Sequence, residues 1–377
     1  MRIHYIDPAL VGRPGHHFDW ARRLLAVLAA AGHTVQAFIH HDAAAEVQTA
    51  LAPHAGVVAL FHVGPYVDPA AQDAVSGPLA HYTASVMDLP ARLAALPPAD
   101  LWLWPTLTAE QLVAIGLARV RTPVAACIHF PPDMLSPLAP MAWRHGAQLA
   151  AAAGVPLHLG VTVRELGALF EPLLGLQPVE LPLVVEPASP APAESPPRTI
   201  GFFGDHNARK GLHLLDTLVT RLLADGWQVV LQDASGRVSA RQAAPAGLRL
   251  LGYVADLPAA MTGCDLVVAP YDPAAYRAMG SGIVWDAVSR GLPVVAPAGS
   301  APGRWALEQG ACVTFAAQEP GAILQAIATA RARHAELLIG ARRAAQAWAG
   351  HHGAAPFLAA LMNASARPLA GPTGATR

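Results

Sequence analysis

One lysine, Lys210, stands among 25 basic residues that are otherwise all arginine. It lies in GFFGDHNARKGLHLL (201–215), where an apolar run ends at Gly204, a polar loop follows and Gly211 opens a helix-like stretch. Backbone N–H groups at a helix start, with Arg209 and Lys210 beside them, make an anion site of the kind that holds phosphate. A compact ammonium serves there as a point charge, which a planar guanidinium imitates poorly. A second segment, DLVVAPYDPAAYRAMGSGIVWDAVSRGLPVVAPAGS (265–300), brings a strand to Pro270 and Tyr271 and then a loop to Gly280, Ser281 and Gly282. Small residues at a helix start let a phosphate approach the backbone. Asp286 follows about one helical turn later, where a carboxylate can accept hydrogen bonds from ribose hydroxyls.

The 17 histidines invite a metal reading. His16–His17, His40–His41 and His351–His352 are adjacent pairs, however, and no His-Glu-x-x-His, paired Cys-x-x-Cys or Asp-x-Asp pattern occurs, so no metal site and no cofactor is expected. Neither a Gly-x-Ser-x-Gly elbow nor a Walker lysine loop is present. Cys127, Cys264 and Cys312 are widely separated inside apolar runs and read as buried thiols of a reducing compartment.

Elements that position these groups can be read from the alternation of short β-branched apolar runs with longer helix-like segments, the pattern of βα units on a parallel sheet. The strand candidates of the first half are 2–6, 33–41, 56–63, 101–105, 123–130, 156–163 and a short piece at 179–185, with a helix from about Phe18 to Ala31 and another over 164–175. Those of the second half are 199–204, 227–233, 248–254, 265–271, 292–298 and 311–316, with helices over 211–226 and 320–338. Between the halves, EPASPAPAESPPRT (186–199) has no periodic apolar face and reads as a linker. The expected organisation is an α/β chain of two doubly wound, Rossmann-like domains facing a cleft. The first covers 1–185 and the second 200–340; a helical segment at 341–364 follows, expected to cross back to the first domain, and then a disordered tail at 365–377.

A net charge of −1 argues against nucleic-acid binding. The alanine-rich runs are too short to span a bilayer, and Asp7 and Pro8 interrupt the N-terminus before a secretion signal develops, so a cytoplasmic location is expected. Arg22, Arg23, Arg119 and Arg121 leave peripheral contact with the inner membrane face open, with little support from the neutral balance of charge.

Taken together, the two segments of the second half resemble the C-terminal domain of GT-B glycosyltransferases of the retaining family 4 type. The strand–glycine loop and Lys-Gly of that family are matched by Gly204 to Gly211, and its Gly-Tyr-Val strand with Asp-Leu by Gly252, Tyr253, Val254, Asp256 and Leu257. Its acidic-Ala-x-x-x-Gly-x-Pro-Val-Val element is matched by Asp286, Ala287, Gly291, Pro293, Val294 and Val295. Tyr276, Arg277, Ser281 and Gly282 look similar to a bacterial polysaccharide-biosynthesis branch.

The resemblance implies a GT-B fold and transfer of a sugar from a nucleotide-diphosphate sugar to a saccharide or lipid-linked acceptor. Retention of configuration is implied too, with the leaving phosphate oxygen taking the acceptor's proton. Lys210 and Arg209 are then expected at the diphosphate, with Arg277 facing it, and Asp286 at the ribose. Gly204, Gly280, Ser281, Gly282 and Tyr253 are expected to complete the donor site. In the first half, Gly12, Gly15, His16 and His17 match the glycine turn that lies near donor phosphates and acceptor, one of the two histidines lining the cleft. His129, at a strand end before Pro131 and Pro132, matches a histidine that contacts the donor sugar. Two positions depart from the family: Ala278 stands where a glutamate is usual, and Asp205 where arginine commonly follows the loop glycine. Ala278 keeps a non-catalytic relative, a nucleotide-sugar-binding or complex-forming subunit, as the alternative.

Overall fold

The computed structural model describes residues 1–13, 15–66, 76–186, 196–233, 236, 245–254 and 256–363. Most of the linker expected at 186–199 and all of the tail expected at 365–377 lie outside the described residues. The chain divides into two compact units: one of residues 1–184 with the chain from Ala354 onward, the other from Val185 to Gly353.

In the first unit the order is β1 (Arg2–Asp7), α1 (His16–Ala30), β2 (Thr34–His40), α2 (Ala45–Leu51), β3 (Gly56–Phe61), α3 (Ser76–Ala94) and β4 (Leu101–Trp104). Then come α4 (Ala109–Leu117), β5 (Val124–Ile128), α5 (Ala139–Ala153), β6 (Leu157–Val161), α6 (Arg164–Leu174) and β7 (Val179–Glu180). The seven strands form one parallel sheet ordered β3-β2-β1-β4-β5-β6-β7. Parallel sheets need cover on both faces, so their strands are near-continuous apolar runs. Every residue of LWLW in β4 and of VAACI in β5 is accordingly buried. The sequence order reverses between β1 and β4, with Ile3 registered against both Val35 and Leu101. At such a switch point the loops leaving the carboxyl ends diverge and open a crevice for ligand.

The second unit repeats the design. Its elements are β8 (Thr199–Phe202), two 3-10 turns (Ala208–Lys210 and Leu212–Leu214), α7 (Leu215–Ala224), β9 (Gln228–Gln232), β10 (Leu248–Leu251), α8 (Leu257–Met261) and β11 (Leu266–Val268). They continue with α9 (Gly282–Ser289), β12 (Val294–Pro297), α10 (Ala301–Glu308), β13 (Cys312–Phe315), α11 (Pro320–Ala332) and α12 (His334–His351). The six parallel strands run β10-β9-β8-β11-β12-β13, so the switch point lies between β8 and β11. Both expected doubly wound sheets are present.

The segment 341–364 is not one helix that returns whole to the first unit. Its front part continues α12, whose Trp348 donates its indole N–H to the Val185 carbonyl at 2.7 Å and meets Trp305 edge-on. After Gly353 the chain resumes as α13 (Ala354–Asn363), which counts with the first unit. There Phe357, Leu358 and Leu361 join the core of α1, β1 and β2.

Helices α4 and α5 meet through glycines. A Cβ on Gly146 would lie 2.8 Å from the Val113 nitrogen, and one on Gly116 would lie 2.6 Å from the Leu149 Cβ. Such distances leave no room for a methyl group, so Gly146→Ala is expected to destabilise the first unit by about 1–3 kcal/mol through forced separation of the helices. A lower urea midpoint with an unchanged slope would register it.

Candidate active site

Gly204 follows β8 with φ +99°, and its N–H donates to the Gln232 side-chain carbonyl at 2.7 Å. Asn207 closes the turn Ala208–Lys210 by accepting the Lys210 N–H on its side chain at 3.2 Å and on its carbonyl at 3.0 Å. Gly211 then takes φ +75°, a left-handed conformation that glycine adopts without a Cβ clash. A Cβ there would collide with the Pro270 carbonyl, the end of the strand across the switch point. The Asp272 N–H donates to the Arg209 carbonyl at 2.8 Å, and Gln318 donates its amide to the Pro270 carbonyl at 3.0 Å. The basic loop is thus tied to the chain leaving β11 directly, and also through Gln318, whose amide reaches the Ala208 carbonyl at 3.3 Å.

This corrects the expected helix start at Gly211. Two 3-10 turns intervene and the α-helix begins only at Leu215, because the left-handed glycine breaks helical continuity. Lys210 therefore sits in a turn, without the amides of a helix start beside it.

The Lys210 ammonium lies 3.8 Å from where a Cβ on Gly204 would be, half-buried over the end of β8. Burial lowers its pKa, the Asp205 carboxylate opposes that shift and the Arg209 charge adds to it. Below it is His206, 2% exposed, whose pKa is pushed down to about 4, first by burial and then by the Lys210 charge. The imidazole is neutral at pH 7 and does not compete for an anion.

The segment Gly280 to Gly282 leads directly into α9. Ser281 caps α9, its hydroxyl accepting the Val284 N–H at 3.3 Å, and lies 3.1 Å from the Tyr271 hydroxyl. Tyr271 and Tyr276 stack with ring centres 4.2 Å apart. Asp286, one turn into α9, is 16% exposed and 3.5 Å from the Arg290 guanidinium. Arg209 and Arg277 are exposed; the Arg277 carbonyl accepts from Arg304 at 2.8 Å. Ala278, where the family carries a glutamate, is 5% exposed. Tyr253 is not brought to this group: it follows β10, the edge strand two places from β8, and is 53% exposed.

In the first unit, Gly15 precedes α1, which starts at His16 and so places both histidines on its first turn at the carboxyl end of β1. His17 Nδ1 lies 3.0 Å from both oxygens of Asp7, the buried last residue of β1, and its Nε2 lies 2.6 Å from the Tyr66 hydroxyl. The His16 ring stands 5.6 Å from that of His129, and Trp20 packs edge-on to His129 at 4.7 Å. His129 donates from Nε2 to the Pro105 carbonyl at 2.8 Å. Burial pushes its pKa down to about 4 against the pull of that carbonyl. It is neutral at pH 7, and one of its nitrogens is already engaged. The sequence reading missed Asp7, Tyr66, Gln232, Asn207 and Gln318. Only Asn207, an Asx residue ahead of a short turn, carries a local signal.

Among the described residues one group has ligand atoms close enough for a metal ion: His40, His41 and Asp42, within 4.8 Å of one another. His40 Nδ1 there already accepts the Asp42 N–H at 3.1 Å. No helix of the described residues is long and apolar enough to cross a membrane.

Residues 197–332, most of the second unit, match the family described as glycosyl transferases group 1. No curated protein sequence matches the chain. Among solved structures it is similar to a sucrose-phosphate synthase from Thermosynechococcus elongatus, with TM-score 0.67 and 14% identity over 96% of each chain. It is also similar to Anabaena HepE in complex with UDP and glucose, with TM-score 0.64 and 17% identity over 96% of this chain and 98% of that one. A third is WaaG, a glycosyltransferase involved in lipopolysaccharide biosynthesis, with TM-score 0.59 and 14% identity over 97% of this chain and 100% of that one. The fold is GT-B, and the second unit carries a group 1 glycosyltransferase domain. The chain is thus a glycosyltransferase enzyme.

The buried histidines set an acid limit on stability. Unfolded, each takes up a proton near 6.5; folded, His129 and His206 do so only near about 4. Between those values the unfolded chain binds more protons, so stability falls as pH drops from 6.5 towards about 4. Thermal melts over that range are expected to show the decline, with a shallower slope in His206→Leu.

Proposed function

We propose that this enzyme moves a sugar from a nucleoside-diphosphate sugar onto a hydroxyl of a saccharide or lipid-linked acceptor, without a metal ion and with retention of anomeric configuration. The observation that carries the donor assignment is the half-buried Lys210 ammonium held over Gly204 at the second unit's switch point. When the bond between the anomeric carbon and the phosphate oxygen breaks, negative charge develops on the departing diphosphate. Fixed positive groups that need no reorganisation stabilise it most. Lys210 supplies the charge, and the Ser281-capped start of α9 supplies backbone N–H groups. Asp286 serves the ribose hydroxyls, with Arg290 holding its carboxylate in place. Arg209 and Arg277 add exposed positive charge, and neutral His129 serves as a hydrogen-bonding contact for the sugar. Retention rests on the resemblance of the donor segments to the retaining family.

HepE was solved with UDP and glucose, so UDP-sugars come first in a screen that also holds GDP- and ADP-sugars, scored by thermal stabilisation. Lys210→Ala is expected to weaken binding of the best nucleotide by about 1.5–3 kcal/mol, the scale of a charged hydrogen bond, and to abolish transfer. Calorimetry giving the same affinity in the variant would remove Lys210 from the diphosphate. Deoxyribose analogues of that nucleotide are expected to bind more weakly than the parent, and Asp286→Asn to narrow the difference. Equal affinity of the unaltered protein for both forms would remove Asp286 from the ribose.

A further inference from the structure

Glu110 is a buried acid that the first unit leaves without a hydrogen-bonding partner. It sits in the first turn of α4 and is 4% exposed, yet among the described residues no hydrogen bond reaches its carboxylate and no ion pair holds it. Its charge acts on His81 of α3. Burial lowers the His81 pKa and outweighs the opposing pull of Glu110, so His81 supplies no resident cation. His81 Nε2, Thr106 Oγ1 and Gln111 Nε2 are themselves buried without hydrogen bonds. Buried polar groups are ordinarily paired, so orphans gathered on one helix start and its neighbours mark a place that a group from outside the chain completes.

Glu110 lines a pocket beyond the carboxyl ends of β4 and β5, together with Leu107, Ile128, Phe130, Leu135 and Trp143. It is the only charged side chain among the described residues that line it. About 10 Å³ is open to the centre of a water-sized group, the room that one such group needs. Size and chemistry together narrow the occupant. A buried water requires several polar partners, and a hard metal ion requires a shell of oxygens, neither of which these apolar walls offer. A guanidinium is too broad for the space. A primary ammonium is water-sized, makes a charge-assisted hydrogen bond to a carboxylate, and is tolerated beside the rings of Phe130 and Trp143. Phe130 and Leu135 are only half-buried, so an apolar body attached to that ammonium finds cover at the pocket's rim. We propose that the Glu110 pocket binds the primary ammonium of a small molecule with an apolar body. Every residue of the pocket belongs to the first unit, and the inference does not rest on the transfer reading.

Titration calorimetry on the full chain tests this with n-butylammonium chloride as the probe. Two controls share its butyl body: 1-butanol lacks the charge, and butyltrimethylammonium carries the charge on a head too large for the space. Only the primary ammonium is expected to bind. Glu110→Gln keeps the shape and removes the charge, and is expected to weaken n-butylammonium by about 10- to 150-fold, the scale of a hydrogen bond to a charged group. The same substitution should leave the urea midpoint unchanged or raise it, because it removes a buried charge that nothing pairs, whereas a carboxylate kept for the fold would lower it. Ala139→Leu, which fills the pocket and spares the carboxylate, should also lose the probe and serves if the glutamine variant folds poorly. No binding by the unaltered protein, unchanged affinity in Glu110→Gln, or equal affinity for either control would overturn the proposal. Each of those results leaves donor binding and transfer as they stand, since the donor screen is a separate measurement.

Discussion

The seating of Gly211 against the Pro270 carbonyl fixes the geometry on which the loops at the carboxyl end of the second unit's sheet depend. Two chains leave neighbouring strands at a switch point and would ordinarily diverge. Here one of them returns without a side chain at the contact, and the Arg209 carbonyl and the Gln318 amide complete the seam. The lysine next to the glycine is thereby seated at the sheet end, its ammonium half-buried over Gly204. An ammonium held that way acts on a phosphate with less of the rearrangement a solvated surface lysine needs.

Burial serves two opposite ends in the two sites. In the second unit it lowers the Lys210 pKa while Asp205 works against the shift, so the position where the family carries arginine holds an acid that supports the one lysine. Beneath them His206 is kept neutral and adds no competing charge. In the first unit burial silences His129, whereas the buried Asp7 meets the imidazole of His17. One unit thus carries a half-buried ammonium at its sheet end, and the other an imidazole against a buried carboxylate.

The chain's end shows how local sequence is divided by packing. A single alanine-rich stretch reads as one helix, yet Gly353 separates α12 from α13. Trp348 has its indole N–H satisfied by Val185 in the second unit, while Phe357 enters the first unit's core against Trp20. An indole needs a partner when buried and a phenyl ring does not, so each anchor found a different kind of site.

The sequence by itself determined the two parallel sheets, because β-branched runs at regular spacing can be buried on both faces only between helices. The thirteen strand candidates all appear, the one at 179–185 reduced to the two residues of β7. It also determined the Ser281 cap and the basic loop, whose small and charged residues are local signals. Tertiary structure alone decided the rest. The helix after Lys210 starts four residues later than its amphipathic pattern implies, because a left-handed glycine is chosen by a carbonyl 59 residues away in sequence (270 − 211). Asp7 and Tyr66 carry no local signal of a shared place; they meet His17 across 10 and 49 residues. Periodicity records what each stretch must bury. Which distant polar atoms then share a hydrogen bond is fixed only when the strands take their order in the sheet.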